Sequence, residues 1–380
     1  MSREDVIDSF KNNEANPLHI EKMKELRTYI NENFDDILAG IVHCFKEIFI
    51  KIESFQRESE DKLDNGEEKT AFVALSALRS GVKLKNSRCL LTAYNKNWYA
   101  DAKPVENEYL ANWLFSGLSQ YERELEETGK KYAGAVTRYD VEKIAYDKFP
   151  EYIKYLTAVC RKCADEIASL EEFRLIKKND LFDIRVGEYF DLTESVWLED
   201  ESFNIDEDVK KFFEQKYDYA YVFRHYKDLD ISRADYSGVS MMRSRFQNVS
   251  FAQCDMGFCN LKGAKFLNCD MDRVNLTGSD IAECNFTGSS LNHANLTRVN
   301  CAAAPGDDMA ELFFIKTSFK DARLNSANLS YGNFADCDFR GADLHSCDFT
   351  GANLKGAVID NEYKNNETLT DDQKGDIIWL

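Results

Sequence analysis

The sequence predicts a mainly helical (α+β) domain over residues 1–228, then a solenoid over 229–360 that turns a corner every five residues. Three observations carry this reading. A large side chain returns at every fifth position from Ile231 to Leu296, and again from Phe314 to Ile359. A small or narrow residue sits two places before nearly every large one. The first 228 residues instead show the three-four spacing of amphipathic helices. At 380 residues the chain is long enough for two domains.

Segment 18–58 reads as one long helix. Met23, Leu26, Ile30, Phe34, Ile37, Ile41, Phe45, Ile48, Ile52 and Phe55 make a continuous apolar stripe that a core must cover. Segments 71–82 and 87–99 fit either strands or short helices. Residues 106–128 read as a helix with Leu110, Trp113, Leu114, Leu118, Tyr121 and Leu125 along one side. Pro150 suits the first turn of another helix, whose stripe runs Ile153, Leu156, Cys160, Cys163, Ile167 and Leu170. Residues 181–198 read as extended, and an acidic helix at about 206–216 leads into the repeat.

From Ile231 the large residues hold one phase for fourteen units, and the phase slips after Cys301. A period of five matches neither a helix nor a flat strand, whose periods are about 3.6 and 2. It does match a coil with a corner after each pentad, one large and one narrow side chain pointing inward. Gly238, Gly263, Gly278, Gly288, Gly341, Gly351 and Gly356 all fall two residues after a large one, where a corner of positive φ favours glycine. Six of the eleven cysteines (Cys254, Cys259, Cys269, Cys284, Cys337 and Cys347) take the narrow slot, where a thiol is a small buried hydrophobe.

The pentads SANLS, GADLH and GANLK resemble the pentapeptide repeat family, with its consensus A(D/N)LXX. The resemblance covers about 229–360 and implies a right-handed quadrilateral β-helix. Four units per coil give about 6 coils, a column of ~29 Å at ~4.8 Å per strand. Its open ends need caps. The aromatic stretch Phe212–Tyr226 suits one end. The tail 361–380, ending Ile377, Ile378, Trp379 and Leu380, either caps the other end or pairs two molecules as a homodimer.

Composition narrows the function. The chain carries 48 Lys+Arg against 67 Asp+Glu, a formal net charge of −19, which disfavours direct binding to nucleic acid or an anionic membrane. No apolar run approaches the ~20 residues of a membrane span. The start, MSREDVIDSF, is acidic where a signal peptide is basic and then apolar. The cysteines are scattered without compact pairing, so reduced thiols and a cytoplasmic location are expected.

No catalytic constellation emerges. Phosphate loops and hydrolase or zincin motifs are missing, and His19, His43, His225, His293 and His345 are isolated from one another. Cys160-Arg-Lys-Cys163 lies mid-helix on a buried stripe, which favours core packing over redox work. Glu188, Asp191 and Glu194 read as a solvated acidic face. The expectation is a protein that is not an enzyme, with no catalytic residue, cofactor or metal.

What remains is a non-enzymatic interaction or scaffolding protein that presents a β-helix surface to a protein partner. Two alternatives stand beside it. The quinolone-resistance type of the resembled family binds DNA gyrase by imitating DNA, so topoisomerase binding, with quinolone-type or toxin protection, is the first. The second places an enzyme or effector activity in the helical domain. Charge weighs on the first: a ~29 Å duplex carries ~17 negative charges, whereas residues 229–360 hold 16 acidic and 12 basic residues. The interruption at about 302–313 is the candidate partner-binding loop. Pro305 and Gly306 favour a turn, while Asp307 and Asp308 suit the cap of a helical turn through Met309–Phe313. Asp307, Asp308, Met309 and Glu311 are the candidate contact residues, against the plainer reading of a tolerated surface insertion.

Overall fold

The computed structural model describes residues 2–59, 69–200, 206–302 and 308–380. The chain divides into two compact units, Met1–Leu198 and Glu199–Leu380.

The first unit opens with α1 (Arg3–Phe10), started by a reciprocal capping box between Ser2 and Asp5. Helices α2 (Asn16–Glu32) and α3 (Phe34–Ser59) follow, so the predicted single helix over 18–58 is two. Asn33 breaks it at φ −120°, its side-chain amide donating to the Tyr29 carbonyl at 2.9 Å. Such a local bond competes with helix continuation. The apolar stripe survives because α3 resumes at the next residue and buries Phe34, Ile37, Ile41, Phe45, Ile48 and Ile52.

The two ambiguous segments are strands. β1 (Thr70–Ala77) and β2 (Arg88–Tyr94) pair antiparallel, with the short helix α4 (Arg79–Lys83) between them in sequence. β3 (Val105–Leu110) occupies the predicted start of a helix. Its residues alternate between half-buried and exposed, and only after Ala111 does α5 (Asn112–Gly129) bury Leu114, Leu118, Tyr121 and Leu125. The unforeseen α6 (Arg138–Tyr146) starts at a Thr137–Asp140 capping box. Then come α7 (Phe149–Ser169), with Pro150 in its first turn, and α8 (Glu171–Leu175). β4 (Lys178–Glu188) runs parallel to β1, and β5 (Thr193–Asp200) completes the order β3-β2-β1-β4-β5. Asn107, Leu91, Leu75 and Val186 form one row across the sheet. Asn107 bonds Lys51 and Glu47 of α3, so this face packs the helices.

The second unit begins with α9 (Asp206–Glu214) and continues as a β-helix. Parallel bridges join each residue to the one twenty further on, from Asp230↔Ser250 to Asp280↔Asn300, so four pentads make one coil. The fourteen large residues from Ile231 to Leu296 are fully buried, as are Phe319 to Ile359 within 1%. Like residues therefore lie one strand spacing apart along the column. Tyr226, Phe246, Phe266, Phe286, Phe319 and Phe339 form a continuous ring stack, with centroids 4.9 to 5.3 Å apart and planes within 12°.

After Cys301 the bridge step becomes 33, as in Asn285↔Ser318 and Asn300↔Asn333. The insertion thus adds thirteen residues while the coils on either side keep their register. The predicted restart at Phe314 is wrong. Phe314 is half-buried in the turn Phe313–Ile315, and the ladder resumes at Thr317 and Phe319. The Thr317 hydroxyl donates to the carbonyls of Ile281 and Cys301 at 3.0 and 3.1 Å, locking the re-entry point. Phe314 lies five residues before Phe319, and that spacing alone drew it into the predicted series.

The narrow slot has a further chemical reason. Thiols of Cys254, Cys259, Cys284 and Cys347 approach the carbonyls of Ile231, Tyr236, Leu261 and Leu324 at 3.3, 3.1, 3.0 and 3.0 Å. The Ser279 and Ser289 hydroxyls do the same to Met256 and Phe266 at 2.7 and 2.8 Å. A small donor in this slot satisfies a buried carbonyl of the preceding coil. All eleven cysteines are free and buried, and burial pushes the thiols of Cys259 and Cys347 up to about 12. A protonated, enclosed thiol is a poor nucleophile. Native protein treated with an aromatic disulfide reagent should therefore release little thiolate until denaturant is added, when all eleven react. Rapid native labelling of Cys160 or Cys163 would contradict this.

Both ends of the column are closed. Phe213 of α9 stacks on Tyr221 at 4.9 Å and meets Tyr226 at 5.1 Å, so the predicted aromatic segment does cap the first coil. At the other end Ile378–Trp379 pairs parallel with Val358–Ile359. Gln373 of α10 (Asp371–Asp376) donates to the Phe349 and Ala352 carbonyls at 2.9 and 2.8 Å.

Candidate functional site

A coil whose interior is filled has only its surface to offer. The seven predicted corner glycines have φ between +67° and +75°, and most other corners hold Asn, Asp, Arg or Ser in the same left-handed conformation. Three corners hold aromatics. Phe223 lies against the Arg243 guanidinium at 5.9 Å. Phe258 (φ 59°) and Tyr331 (φ 58°) instead stand 74% and 60% exposed. For a bulky residue this conformation costs about 1–2 kcal/mol, and an exposed ring regains little of it by burial.

Each exposed ring is matched by a glycine one coil further on. A Cβ at Gly278 would come within 2.8 Å of the Phe258 ring, and one at Gly351 within 2.7 Å of the Tyr331 ring. Backbone N–H groups of Gly238, Phe258, Gly278, Arg298 and Tyr331 each donate to the next coil, from Gly238 to the Gly257 carbonyl through Tyr331 to that of Thr350. These residues therefore form one corner column. Phe258 and Tyr331 are three rungs apart on it, ~14 Å at the strand spacing. Arg298 lies between them, exposed and in no ion pair with a described residue. An arginine flanked by aromatics has the composition of an interface hot spot.

The sequence model of pentapeptide repeats matches in eight copies, over residues 240–278, 275–304 and 317–356. These segments are pentapeptide repeats. Solved structures similar to this chain include pentapeptide repeat proteins. A plasmid-mediated fluoroquinolone resistance protein, QnrB1, is 17% identical with a TM-score of 0.27, over 36% of this chain and 70% of that one. A protein from the cyanobacterium Cyanothece 51142 is 16% identical with a TM-score of 0.21, over 36% of this chain and 88% of its own. One from the Arabidopsis thaliana thylakoid lumen is 22% identical with a TM-score of 0.17, over 36% and 71%. No curated protein matches the chain.

The loop leaves the pentapeptide repeat coil just past Cys301, three residues after Arg298. Of its four predicted contact residues, Asp307 and the side chain of Asp308 lie outside the described residues. Glu311 is exposed and Met309 half-buried on the turn Asp308–Glu311, anchored by the fully buried Leu312. Sequence reasoning missed Phe258, Arg298 and Tyr331. The signal was present, since all three stand in the phase occupied elsewhere by the corner glycines.

Charge on the repeat coil is interleaved. The bridging column Asp235, Asp255, Asn275, Asn295, Asn328, Asp348 is half carboxylate and half amide. Its members turn inward on their own chain, as when Asn275 accepts from the Thr277 amide and hydroxyl at 3.2 and 2.6 Å. In the first unit the acidic trio is dispersed: Glu188 pairs with Arg79 and Glu194 with Arg161. Cys160 and Cys163 are fully buried within α7. Among the described residues no group of three His, Cys, Asp or Glu is placed to hold a metal ion.

Proposed function

We propose that the protein is a non-enzymatic interaction or scaffolding module that binds a protein partner through the corner ridge Phe258–Arg298–Tyr331. The residues expected from the sequence, Asp307, Asp308, Met309 and Glu311, are kept as a second candidate contact. The observation that carries this reading is two exposed aromatic residues held in a conformation that folding alone disfavours. A residue kept in such a conformation is a reason to look for function. The complementary partner surface is an apolar patch with a carboxylate near its centre. The twenty-residue rung supports a four-sided coil as the scaffold, its right hand being what the resemblance to pentapeptide repeats implies, and eleven free thiols support a cytoplasmic setting.

The test uses glycine, which relieves the corner strain and removes the ring together. Phe258→Gly with Tyr331→Gly should leave the melting temperature nearly unchanged and abolish capture of the partner from the native lysate. Deleting 303–311 separately should weaken capture if the loop is that second contact. Unaltered capture by the folded double variant would remove the ridge as a binding surface.

The charge pattern does not favour DNA mimicry. The amide rungs interrupt what a copy of duplex would make continuous, at one charge per ~1.7 Å. The expected result is accordingly that the intact protein fails to protect gyrase supercoiling from a fluoroquinolone in vitro. Protection that disappears on deleting 303–311 would reinstate the topoisomerase reading.

A further inference from the structure

The sheet of the first unit has a second face, on which Glu106, Thr92, Ala74 and Arg185 form one row and Tyr94, Phe72 and Asp183 the next. Thr92, Ala74, Tyr94 and Asp183 are buried there. The segment after β2 brings aromatic rings over this face: Trp98 meets Phe72 edge-on at 3.9 Å, and Tyr99 packs on Tyr94 at 5.4 Å. From the β4–β5 hairpin, Phe190 stacks on Tyr99 at 4.5 Å. Trp98 and Phe190 are both left-handed, with φ of 54° and 57°, so two bulky residues again hold a costly conformation. The rings of Phe72, Trp98 and Tyr99, together with Arg185, Asp191 and Leu192, line a cavity of about 460 Å³. That is the size of a small-molecule site.

Its polar groups are fixed in advance. The Arg185 guanidinium donates to Asp183 at 2.7 Å, and to the Thr193 hydroxyl and carbonyl at 2.9 and 2.6 Å. Asp183 is held in turn by the Ser195 hydroxyl at 2.6 Å. Three of the five guanidinium N–H groups are thereby engaged and two remain, with the plane 5.9 Å from the Trp98 ring. Asp191 adds a carboxylate, anchored through the Leu192 amide at 2.8 Å. A flat ligand with an acceptor beside a donor matches this set: its face on the Trp98 ring, its acceptor on Arg185, its donor on Asp191. Asp183 already neutralises Arg185, so the lining is left net negative by Asp191 and repels phosphate.

We propose that this cavity binds the base of a nucleoside, stacked on Trp98 with its edge toward Tyr99, whose ring stands at 78° to Trp98, in preference to the corresponding nucleotide. The probes are guanosine, adenosine and ATP, each added to the full chain and followed by saturation-transfer NMR and tryptophan fluorescence. At least one nucleoside should show transfer to its base protons and saturable quenching below about 1 mM, with ATP bound about tenfold more weakly. Trp98→Ala should weaken nucleoside binding about tenfold or more, the loss of one stacking partner, while Trp98→Phe largely restores it. Asp191→Asn, which leaves the sheet untouched, should narrow the preference for nucleoside over ATP. Absence of transfer to either nucleoside, ATP binding as tight as theirs, or full binding by a folded Trp98→Ala protein would each overturn the proposal.

Discussion

Replacing Phe286 with Ala should cost about 3–5 kcal/mol, the range for truncating a fully buried aromatic. The ring sits mid-stack, 5.1 Å from Phe266 and 4.9 Å from Phe319, nearly parallel to both. Its removal opens a gap that the neighbouring coils cannot close, because backbone ladders fix the coil spacing on both sides. The position also joins coils on either side of the thirteen-residue insertion through Asn285↔Ser318. Urea unfolding should show a lower midpoint with an unchanged slope. A loss under about 0.5 kcal/mol would mean that the ring does not stack inside.

Phe213→Asp should be damaging in a different, localised way. Phe213 is fully buried against Tyr221, Tyr226 and Tyr236, and closes the first coil. A carboxylate there loses the apolar packing and is left without a cationic partner, a combination worth about 3 kcal/mol or more. A solenoid couples mainly to nearest neighbours, so the opened end should fray first. Hydrogen exchange should accelerate for Ile231–Ser250 while Phe319–Ile359 keep their protection. Equal acceleration along the whole column, or none, would contradict the capping role of α9.

The column was legible because one requirement repeats throughout each run of pentads: every fifth side chain must fill the interior. The corner glycines were legible for the same reason. Periodicity failed where a single local bond or an accident of spacing decided the outcome. Asn33 ends a helix whose apolar stripe runs on across the break. Phe314 has the right spacing and the wrong environment, because the thirteen-residue insertion restarts the ladder only at Thr317. Leu110 ends a strand and Trp113 lies in the first turn of a helix, although the two fall at helical spacing. The ridge was hidden differently. Phe258 and Tyr331 carry no unusual composition, and their meaning appears only when the corner conformation and their exposure are seen together. The sheet cavity was out of reach of any window, since Phe72, Trp98 and Arg185 come from three segments that only the strand order brings together.

Site-specific photo-crosslinking tests the ridge most directly. A benzophenone side chain placed at Phe258 or at Tyr331, in otherwise intact protein, should capture one and the same partner from the native lysate. The same group at Arg233 or Arg273, on a different corner column of the coil, should capture none. Crosslinks from Arg233 or Arg273 in the absence of any from Phe258 and Tyr331 would contradict the account and move the binding surface to another face.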